Sequence, residues 1–313
     1  MLTEQKVKIL SVNISNKKGT TKTPVDKIVL NHLGVEGDAH AGEWHRQISL
    51  LCIESISRFK ESAKREINFG DFAENITTQG IELVETKPGD RFIGNDVDLE
   101  VTQIGKSCHG DGCAIYKEVG NCVMPKEGIF CRVIKNGKLK AGDELTFHPK
   151  IYKVQVITLS DRASRGIYED FSGPEVVRLI SEFFESLKWQ LEVESTIIPD
   201  DEEELRIHLA NAKELNYDLL ITTGGTGIGP RDITPDTVRH MIDKEIPGIM
   251  EMIRVKYGSE KPNALLSRGV AGIMGDTFVY TLPGSVKAVK EYMAEITKTL
   301  KHLFIMRMGI DSH

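Results

Sequence analysis

The 313-residue sequence lacks any long hydrophobic run, since no stretch approaches the roughly 20 consecutive apolar residues of a membrane-spanning helix. It also lacks an excess of positive charge: 40 lysine and arginine residues face 46 aspartate and glutamate residues, for a net charge of −6. We therefore expect neither a nucleic-acid partner nor a membrane partner. The first ten residues, MLTEQKVKIL, have no secretory-signal features, so a cytoplasmic location is expected.

Cysteine is confined to the first part of the chain. The five cysteines are Cys52, Cys108, Cys113, Cys122 and Cys131. An odd number without an export signal favours reduced thiols over a disulfide framework. The length and this uneven distribution predict two different domains, residues 1–149 and 150–313.

Residues 1–149 have the pattern of short strands separated by turns. Val7, Ile9 and Val12 lie in one strand-like stretch, apolar residues alternate over Val97–Val101, and Asn136-Gly137 is typical of a tight hairpin. Helical spacing of apolar residues occurs once, over Cys52–Arg65. Many short strands with one helix predict a mainly-β barrel.

From Ile151 onward, strands and helices alternate. Predicted strands cover Tyr152–Leu159, Leu191–Ile198, Asp218–Thr222 and Phe278–Leu282. Predicted helices begin at Ser172, Asp201, Thr234, about Pro247, and after Gly284. This alternation predicts an α/β three-layer sandwich around a mostly parallel sheet.

A glycine-rich segment, TTGGTGIGPRDITPD (222–236), follows one buried strand. Glycines at such a position let backbone N–H groups surround an anion. A Walker A loop is excluded because Pro230 follows Gly229, and Pro230 also breaks the dinucleotide G-x-G-x-x-G pattern. A purely structural turn remains the alternative at this point.

Other polar residues follow the ends of the predicted parallel strands, where open α/β sheets bind ligands. They are Ser160-Asp161-Arg162, Asp200, the Thr223–Gly227 loop and Pro283-Gly284-Ser285. Asp200 has an alternative role as a helix N-cap ahead of the acidic run Asp201–Glu204. We expect these residues to gather on one rim of the sheet.

Five segments then carry a resemblance over residues 151–303. SDRAS (160–164), IIPD (197–200), TTGGTGIGPRDITPD (222–236), LLSR (265–268) and LPGS (282–285) resemble the molybdopterin adenylyltransferase family, which is related to the gephyrin G domain. The resemblance implies transfer of AMP from ATP to the terminal phosphate of molybdopterin with release of pyrophosphate. It also implies a Mg²⁺-dependent site and a homotrimer.

The same resemblance implies roles for individual residues. Asp200 and Asp232 match its essential acidic positions and are expected as catalytic residues that bind Mg²⁺ or position its surrounding ligands, not as general bases. The residues expected to bind nucleotide or pterin phosphate are Thr223, Gly224, Gly225, Thr226, Gly227, Asp161, Arg162, Ser267, Pro283, Gly284 and Ser285. One departure is Val286, which stands where many family members have a second proline.

The first domain resembles the MOSC domain over about residues 5–148. The segments are GVEGDAHAGEWHRQISLL (34–51), DFAENITTQGIEL (71–83) and VTQIGKSCHGDGCAIY (101–116). The resemblance implies a β-barrel that handles the molybdenum cofactor, in some members through a cysteine thiolate on molybdenum or carrying sulfur. Cys108 and Cys113 are the two candidates, and His40, Trp44, His45 and Arg46 are expected to line the cleft.

A zinc site at His40, His45 and His109 lacks the usual ligand spacing. The leading hypothesis is a bifunctional protein of molybdenum cofactor biosynthesis that acts on molybdopterin and ATP. Its partners would be other proteins of cofactor synthesis or recipient molybdoenzymes. The alternatives are a non-catalytic cofactor carrier and a sulfurtransferase or reductase centred on Cys108.

Overall fold

A computed structural model describes residues 2–63, 66–107 and 122–310. These residues form two compact units, one of residues 2–150 with 304–310 and one of residues 151–303. No helix within the described ranges is long and apolar enough to cross a membrane. Each unit is built on its own sheet system.

Strands dominate the first unit. They are β1 (Gln5–Ile14), β2 (Thr23–Val25), β3 (Lys27–Asn31), β4 (Gly34–Val35), β5 (Ile48–Cys52), β6 (Ile76–Gln79), β7 (Arg91–Ile93), β8 (Asp98–Ile104), β9 (Ile129–Lys135), β10 (Gly137–Lys140) and β11 (Glu144–His148). Among the described residues up to Lys150, the helices are α1 (Ile53–Ala63) and α2 (Met124–Glu127), with a 3₁₀ turn at Leu83–Glu85.

Seven of these strands close into a ring. Their order is β11-β7-β8-β9-β5-β6-β1, and antiparallel pairing of β1 with β11 completes it. The predicted mainly-β barrel is confirmed, and α1 lies within the predicted helix Cys52–Arg65. A separate small sheet has the order β10-β3-β4.

A β-bulge explains the spacing of core residues in β1. The pairing of β1 with β6 shifts register between Ile9 and Ser11. Strict alternation would send Val12 to the face opposite Ile9, but the extra residue returns it to the same side. Val7, Ile9 and Val12 are consequently all fully buried in the barrel core.

The predicted hairpin at Asn136-Gly137 is wrong. Strand β10 pairs antiparallel with β3 through Gly137–Lys140 rather than folding back on β9. Strand β9 itself pairs with β8 as far as Lys135 and with β5 over Ile129–Cys131.

The second unit alternates strands and helices. Its strands are β12 (Ile151–Leu159), β13 (Gln190–Ile198), β14 (Leu219–Thr223), β15 (Lys244–Glu245), β16 (Ala271–Met274) and β17 (Thr277–Leu282). Its helices are α3 (Asp161–Ser164), α4 (Ser172–Ser186), α5 (Glu202–Glu214), α6 (Thr234–Met241), α7 (Pro247–Gly258) and α8 (Val286–Arg307), with a 3₁₀ helix at Pro262–Leu266.

The sheet of the second unit is mixed. Its order is β13-β12-β14-β17-β16-β15, in which the first four strands are parallel and the last two pairings are antiparallel. Alternate residues of β12 face opposite helices. Tyr152 packs on Phe184 of α4 at 5.2 Å between ring centroids, whereas Ile157 and Leu159 join a core cluster with Leu205 of α5.

The parallel register brings four strand ends to one edge of this sheet. Strands β12, β13, β14 and β17 are paired in line through to Leu159, Ile198, Thr223 and Leu282. The segments that follow these ends therefore emerge side by side.

Candidate functional site

A cavity of about 770 Å³ opens at this edge, within the size range of small-molecule sites. Ten of the predicted site residues line it: Asp200, Gly224, Gly225, Thr226, Gly227, Asp232, Ser267, Pro283, Gly284 and Ser285. The structure thus brings together residues that lie as far as 85 positions apart in the sequence.

The glycine loop, residues 224–229, lies tightly against the strand ends. Gly224 and Gly225 have φ angles of +104° and +61°, which side chains strongly disfavour. A Cβ on Gly224 would lie 2.2 Å from the Leu159 carbonyl oxygen. The Thr234 hydroxyl donates a hydrogen bond to the Gly224 carbonyl oxygen at 3.0 Å and fixes the loop from the other side.

Backbone donors of this loop are available to a ligand. The N–H groups of Gly225, Thr226, Gly227 and Ile228 donate to no acceptor in the described ranges. Successive free N–H groups form a concave site for an anion. The loop therefore has the geometry needed to hold phosphate oxygens.

Asp200 faces this loop rather than capping a helix. The N-cap of α5 is Asp201, whose carboxylate accepts from Glu204 N at 2.9 Å. Asp200 and Asp161 instead exchange backbone-to-carboxylate hydrogen bonds of 3.0 and 3.2 Å. Asp200 Oδ1 lies 3.5 Å from the position that a Cβ of Gly225 would occupy.

The pKa of Asp200 is raised above its ordinary value. Burial is the main cause, and the negative charges of Asp161 and Asp232 act in the same direction. Asp200 therefore lies in a site where additional negative charge is unfavourable and a cation would be stabilised.

Asp232 approaches the same loop from its far end. Its Oδ2 accepts a hydrogen bond from Gly229 N at 2.7 Å and lies 2.7 Å from the position that a Cβ of Gly227 would occupy. The two acidic side chains thus both lie against the glycine loop. Within the described residues, the second carboxylate oxygen of Asp232 accepts no hydrogen bond, and so it can contact a ligand or metal.

Arg268 is a positioning residue that the sequence analysis missed. Its Nε donates to the Gly227 carbonyl oxygen at 2.7 Å, and its Nη2 donates to the Asp232 carbonyl oxygen. Its Nη1 donates to the Asp236 carboxylate at 2.7 Å. One guanidinium therefore ties together three points of the segment that carries the loop and Asp232. Only its place in LLSR (265–268) signalled it.

Three predicted residues do not line the cavity. Thr223 is fully buried, and its hydroxyl donates to the Pro283 carbonyl oxygen at 3.0 Å, which joins the ends of β14 and β17. Asp161 pairs with Arg231, whose hydrogen bond lowers the pKa of Asp161. The Arg162 guanidinium lies 5.1 Å from the ring centroid of Tyr168.

The cavity also has cationic and phenolic side chains that were not predicted. Arg231, Lys261 and Lys287 line it, and Lys261 forms an ion pair with Glu291. The Tyr292 hydroxyl donates to Ser267 Oγ at 2.8 Å, and burial raises the pKa of Tyr292. This wall offers both positive charge and an aromatic surface.

The donor set suits a magnesium ion that arrives with phosphate. No group of three or more His, Cys, Asp or Glu side chains that could hold a metal occurs in the described part of the chain. Mg²⁺ commonly uses only one or two carboxylates together with substrate phosphates and water. Asp200 and Asp232 supply two carboxylates beside a phosphate-sized cradle, so the residues present fit such an ion.

In the first unit, the segment 108–121 lies outside the described residues. The predicted Cys108 and Cys113, together with His109, therefore have no described position. Of the predicted cleft residues, Trp44 donates from Nε1 to the His40 carbonyl oxygen at 2.9 Å, and the Arg46 guanidinium lies 4.8 Å from the Trp44 ring centroid. The His45 carbonyl oxygen accepts from Thr102 Oγ1 at 2.6 Å.

Comparisons with known proteins match each unit separately. Residues 155–302 match a family model described as "Probable molybdopterin binding domain", and residues 37–146 match the MOSC domain. The chain is 34% identical over 157 residues to a molybdopterin adenylyltransferase of Helicobacter pylori, covering 50% of this chain and 88% of that protein. It is 38% identical over 163 residues to the Pyrococcus furiosus molybdopterin adenylyltransferase, covering 49% and 92%.

A longer relative is gephyrin of Dictyostelium discoideum, 37% identical over 155 residues. That match covers 48% of this chain but only 21% of gephyrin. The two adenylyltransferases are matched over most of their length and exceed 30% identity. The chain therefore belongs to the molybdopterin adenylyltransferase family through residues 155–302, and it carries a MOSC domain over residues 37–146.

Proposed function

We propose that the second unit transfers AMP from ATP to molybdopterin in molybdenum cofactor biosynthesis. The observation that carries this proposal is that Asp200, Asp232 and the free N–H groups of the glycine loop meet in one cavity. Family membership supports the substrates, because relatives matched over most of their length are named molybdopterin adenylyltransferases.

The transfer exchanges one phosphoanhydride bond for another. A terminal phosphate oxygen of molybdopterin bonds to the α-phosphorus of ATP, the bond from that phosphorus to the bridging oxygen breaks, and pyrophosphate leaves with the electron pair. A phosphomonoester is largely ionised at neutral pH, so the attacking oxygen needs no strong base. The main barrier is the repulsion between two anionic reactants.

Hydrogen-bond donors and positive charges of the chain would reduce that repulsion. The N–H groups of the glycine loop donate hydrogen bonds to phosphate oxygens, and the N-terminal end of α8 beside Ser285 offers further donors. Arg231 and Lys287 add positive charge to the same cavity. Arg268 holds the loop and Asp232 in register, which limits the reorganisation required during transfer.

Asp200 and Asp232 would hold Mg²⁺ with the phosphates. Bound there, the ion supplies neutralisation of phosphate charge and orientation of the reacting groups. We assign neither carboxylate a role as general base, because the nucleophile is already ionised.

For the first unit, we propose that the MOSC domain binds, carries or sulfur-modifies a later form of the molybdenum cofactor. Cys108 or Cys113 would supply the thiolate, since a thiolate is a suitable soft ligand for a sulfur-coordinated metal. Fusion of the two units shortens the transfer of an oxygen-sensitive dithiolene. We also propose that the chain forms a homotrimer and delivers cofactor to recipient molybdoenzymes.

The test of the second unit is pyrophosphate release by the full chain with ATP, Mg²⁺ and molybdopterin. We expect Asp232→Asn to lower the rate roughly a hundredfold, since it removes one metal-holding carboxylate while retaining the side chain's shape. Glu185→Gln is the matched control, because Glu185 is exposed on α4 and does not line the cavity.

Two results would contradict the proposal. One is equal rates for the Asp232→Asn and Glu185→Gln variants. The other is binding of molybdopterin with no pyrophosphate above a no-enzyme control, which is the behaviour of a non-catalytic carrier.

A further inference from the structure

One wall of the cavity carries a hydrogen bond between two segments of the second unit. Tyr292 of α8 is buried, and its hydroxyl donates to Ser267 Oγ at 2.8 Å. Ser267 directly follows the 3₁₀ helix Pro262–Leu266, and Ser267 and Tyr292 both line the cavity. The hydrogen bond therefore joins two segments that form the same wall.

The backbone on both sides of Ser267 is held by other contacts. Arg268 N donates to the Thr226 carbonyl oxygen at 3.0 Å, which ties this segment to the glycine loop. Arg254 Nη1 donates to the Gly269 carbonyl oxygen at 3.3 Å. Because the main chain is held at these points, the principal freedom left to Ser267 is rotation of its side chain and hydroxyl.

The Tyr292 ring lies close to the same segment. A Cβ on Gly269 would lie 3.4 Å from Tyr292 Cε1, so the glycine lets the ring pack near the main chain two residues after Ser267. Burial raises the pKa of Tyr292. The phenol therefore remains protonated at neutral pH and continues to donate to Ser267.

Both lone pairs of the Ser267 hydroxyl face a donor. A serine hydroxyl has one O–H donor and two lone pairs that accept hydrogen bonds. Tyr292 donates to one lone pair, and Gly269 N donates weakly toward the other at 3.5 Å. Within the described residues, no protein atom accepts the hydrogen of the Ser267 hydroxyl. This hydroxyl is therefore set to donate to an acceptor in the cavity.

We propose that Tyr292 is a positioning residue, which fixes the Ser267 hydroxyl as a hydrogen-bond donor to an acceptor atom of one bound substrate. The inference rests on the proposed function of the second unit, because that function supplies the two substrates, ATP and molybdopterin. Without the Tyr292 hydroxyl, the Ser267 hydroxyl is free to rotate, and its hydrogen bond to the substrate weakens.

The test is a double-mutant cycle of Tyr292→Phe and Ser267→Ala in the full chain. The dissociation constants of molybdopterin and of ATP with Mg²⁺ are measured by calorimetric titration, each without the other substrate so that no transfer occurs. Tyr292→Phe keeps the ring that packs near Gly269. Tyr217→Phe is the matched control, because the Tyr217 phenol also donates a hydrogen bond, to Glu194, and does not line the cavity.

We expect Tyr292→Phe to raise the dissociation constant of one of the two substrates about threefold to tenfold, and to leave the other as in the Tyr217→Phe control. Ser267→Ala should weaken binding of the same substrate by at least as much. In the Ser267→Ala background, Tyr292→Phe should have little further effect, because Tyr292 acts through the Ser267 hydroxyl. Denaturant unfolding of each variant separates changes in affinity from loss of folded protein.

The inference is overturned if the Tyr292→Phe variant binds both substrates as tightly as the Tyr217→Phe control. Equal weakening of both substrates would also overturn it, because the cavity as a whole would then be distorted. A third contrary result is a Tyr292→Phe effect that is as large in the Ser267→Ala background as in the parent protein. The titrations require no turnover, so absence of pyrophosphate release would contradict the adenylylation proposal and leave the result for Tyr292 interpretable.

Discussion

Aspartates in the two units are held in different ways, since Asp38 is buried whereas Asp200 and Asp232 are half-buried. In the first unit, the Asp38 carboxylate accepts hydrogen bonds from Ser15 N, His40 N, Asn75 Nδ2 and Lys22 Nζ. In the second unit, Asp200 and Asp232 each accept one backbone hydrogen bond and line a cavity. A carboxylate whose oxygens are all occupied stabilises the fold, whereas one with free oxygens can bind a ligand.

The pKa values follow the same division. Burial opposes ionisation of Asp38, but hydrogen bonds from His40 and Lys22 outweigh it and hold the pKa far below its usual range. Burial and neighbouring carboxylates instead raise the pKa of Asp200. The sequence alone does not distinguish the two roles, and only the surrounding hydrogen-bond donors and charges do.

The largest expected effect is on stability in the first unit. Asp38→Asn leaves the buried Lys22 charge without its partner and should lower the free energy of unfolding by about 3–5 kcal/mol. Denaturant unfolding measures the loss, and Asp26→Asn at an exposed position is the control. Adding Lys22→Met should recover part of the loss. Equal stability of the Asp38→Asn and Asp26→Asn variants would contradict the comparison.

Asp90 tests whether a raised pKa by itself marks a functional carboxylate. Burial raises the pKa of Asp90 from 3.8 to about 6, although hydrogen bonds from Lys150 N and Lys87 N oppose the shift. Its contribution to stability is complete below about pH 4 and is lost as pH rises through 6. The upper limit is about 3 kcal/mol.

The measurement is the free energy of unfolding between pH 4 and 8 for the parent protein and for Asp90→Asn. In the Asp90→Asn variant, the free energy of unfolding should no longer fall over this pH interval by the part that Asp90 contributes, whatever the variant's absolute stability. The pH dependence of pyrophosphate release should stay the same as in the parent protein. An unchanged slope would show that Asp90 does not titrate in this interval.

Substitution of Arg268 tests whether the glycine loop and Asp232 depend on hydrogen bonds from a residue distant in the sequence. Arg268→Gln removes charge-assisted hydrogen bonds to the Gly227 and Asp232 carbonyl oxygens, and should lower stability by about 2 kcal/mol. Pyrophosphate release should fall roughly tenfold because the loop loses its fixed position. Arg178→Gln is the control, since Arg178 makes only exposed ion pairs on α4. Similar losses of stability and of pyrophosphate release from both substitutions would show that Arg268 does not position the glycine loop.

The smallest expected effect on stability concerns α8, the helix whose first residues line the cavity. Ser285 Oγ accepts a hydrogen bond from Ala288 N at 3.2 Å at the start of α8. Ser285→Ala should cost about 1 kcal/mol in thermal or denaturant unfolding. Ser186→Ala, whose hydroxyl donates to the Phe183 carbonyl oxygen at an exposed helix end, should cost less. The reverse order would show that Ser285 does not stabilise this helix.

The sequence predicted most elements of the second unit because their periodicity is strong. Strand β12 and helix α4 lie within one or two residues of the predicted positions. Strands β15 and β16 were missed because they have only two and four residues, too short for a periodic pattern. Their antiparallel pairing also follows from tertiary packing rather than from local alternation.

In both units, contacts between residues far apart in the sequence are what sequence patterns could not predict. The hairpin predicted at Asn136-Gly137 is wrong because β10 pairs with β3, whose residue Leu30 lies 107 positions before its partner Gly137. Arg268 reaches Gly227 and Asp232 from 41 and 36 residues away, respectively, and no local pattern announces such a contact. Residue types at strand ends predicted where the cavity would form, whereas the supporting contacts required coordinates.

The most direct test of the central claim is a double-mutant cycle on Asp200 and Asp232, with pyrophosphate release from ATP, Mg²⁺ and molybdopterin as the readout. If the two carboxylates act together on one bound nucleotide, Asp200→Asn with Asp232→Asn should be little slower than the slower single variant. Unfolding measurements should show no loss of stability in any of the three. Rate losses that simply multiply in the double variant would show that the two acids act independently, and would contradict a shared site.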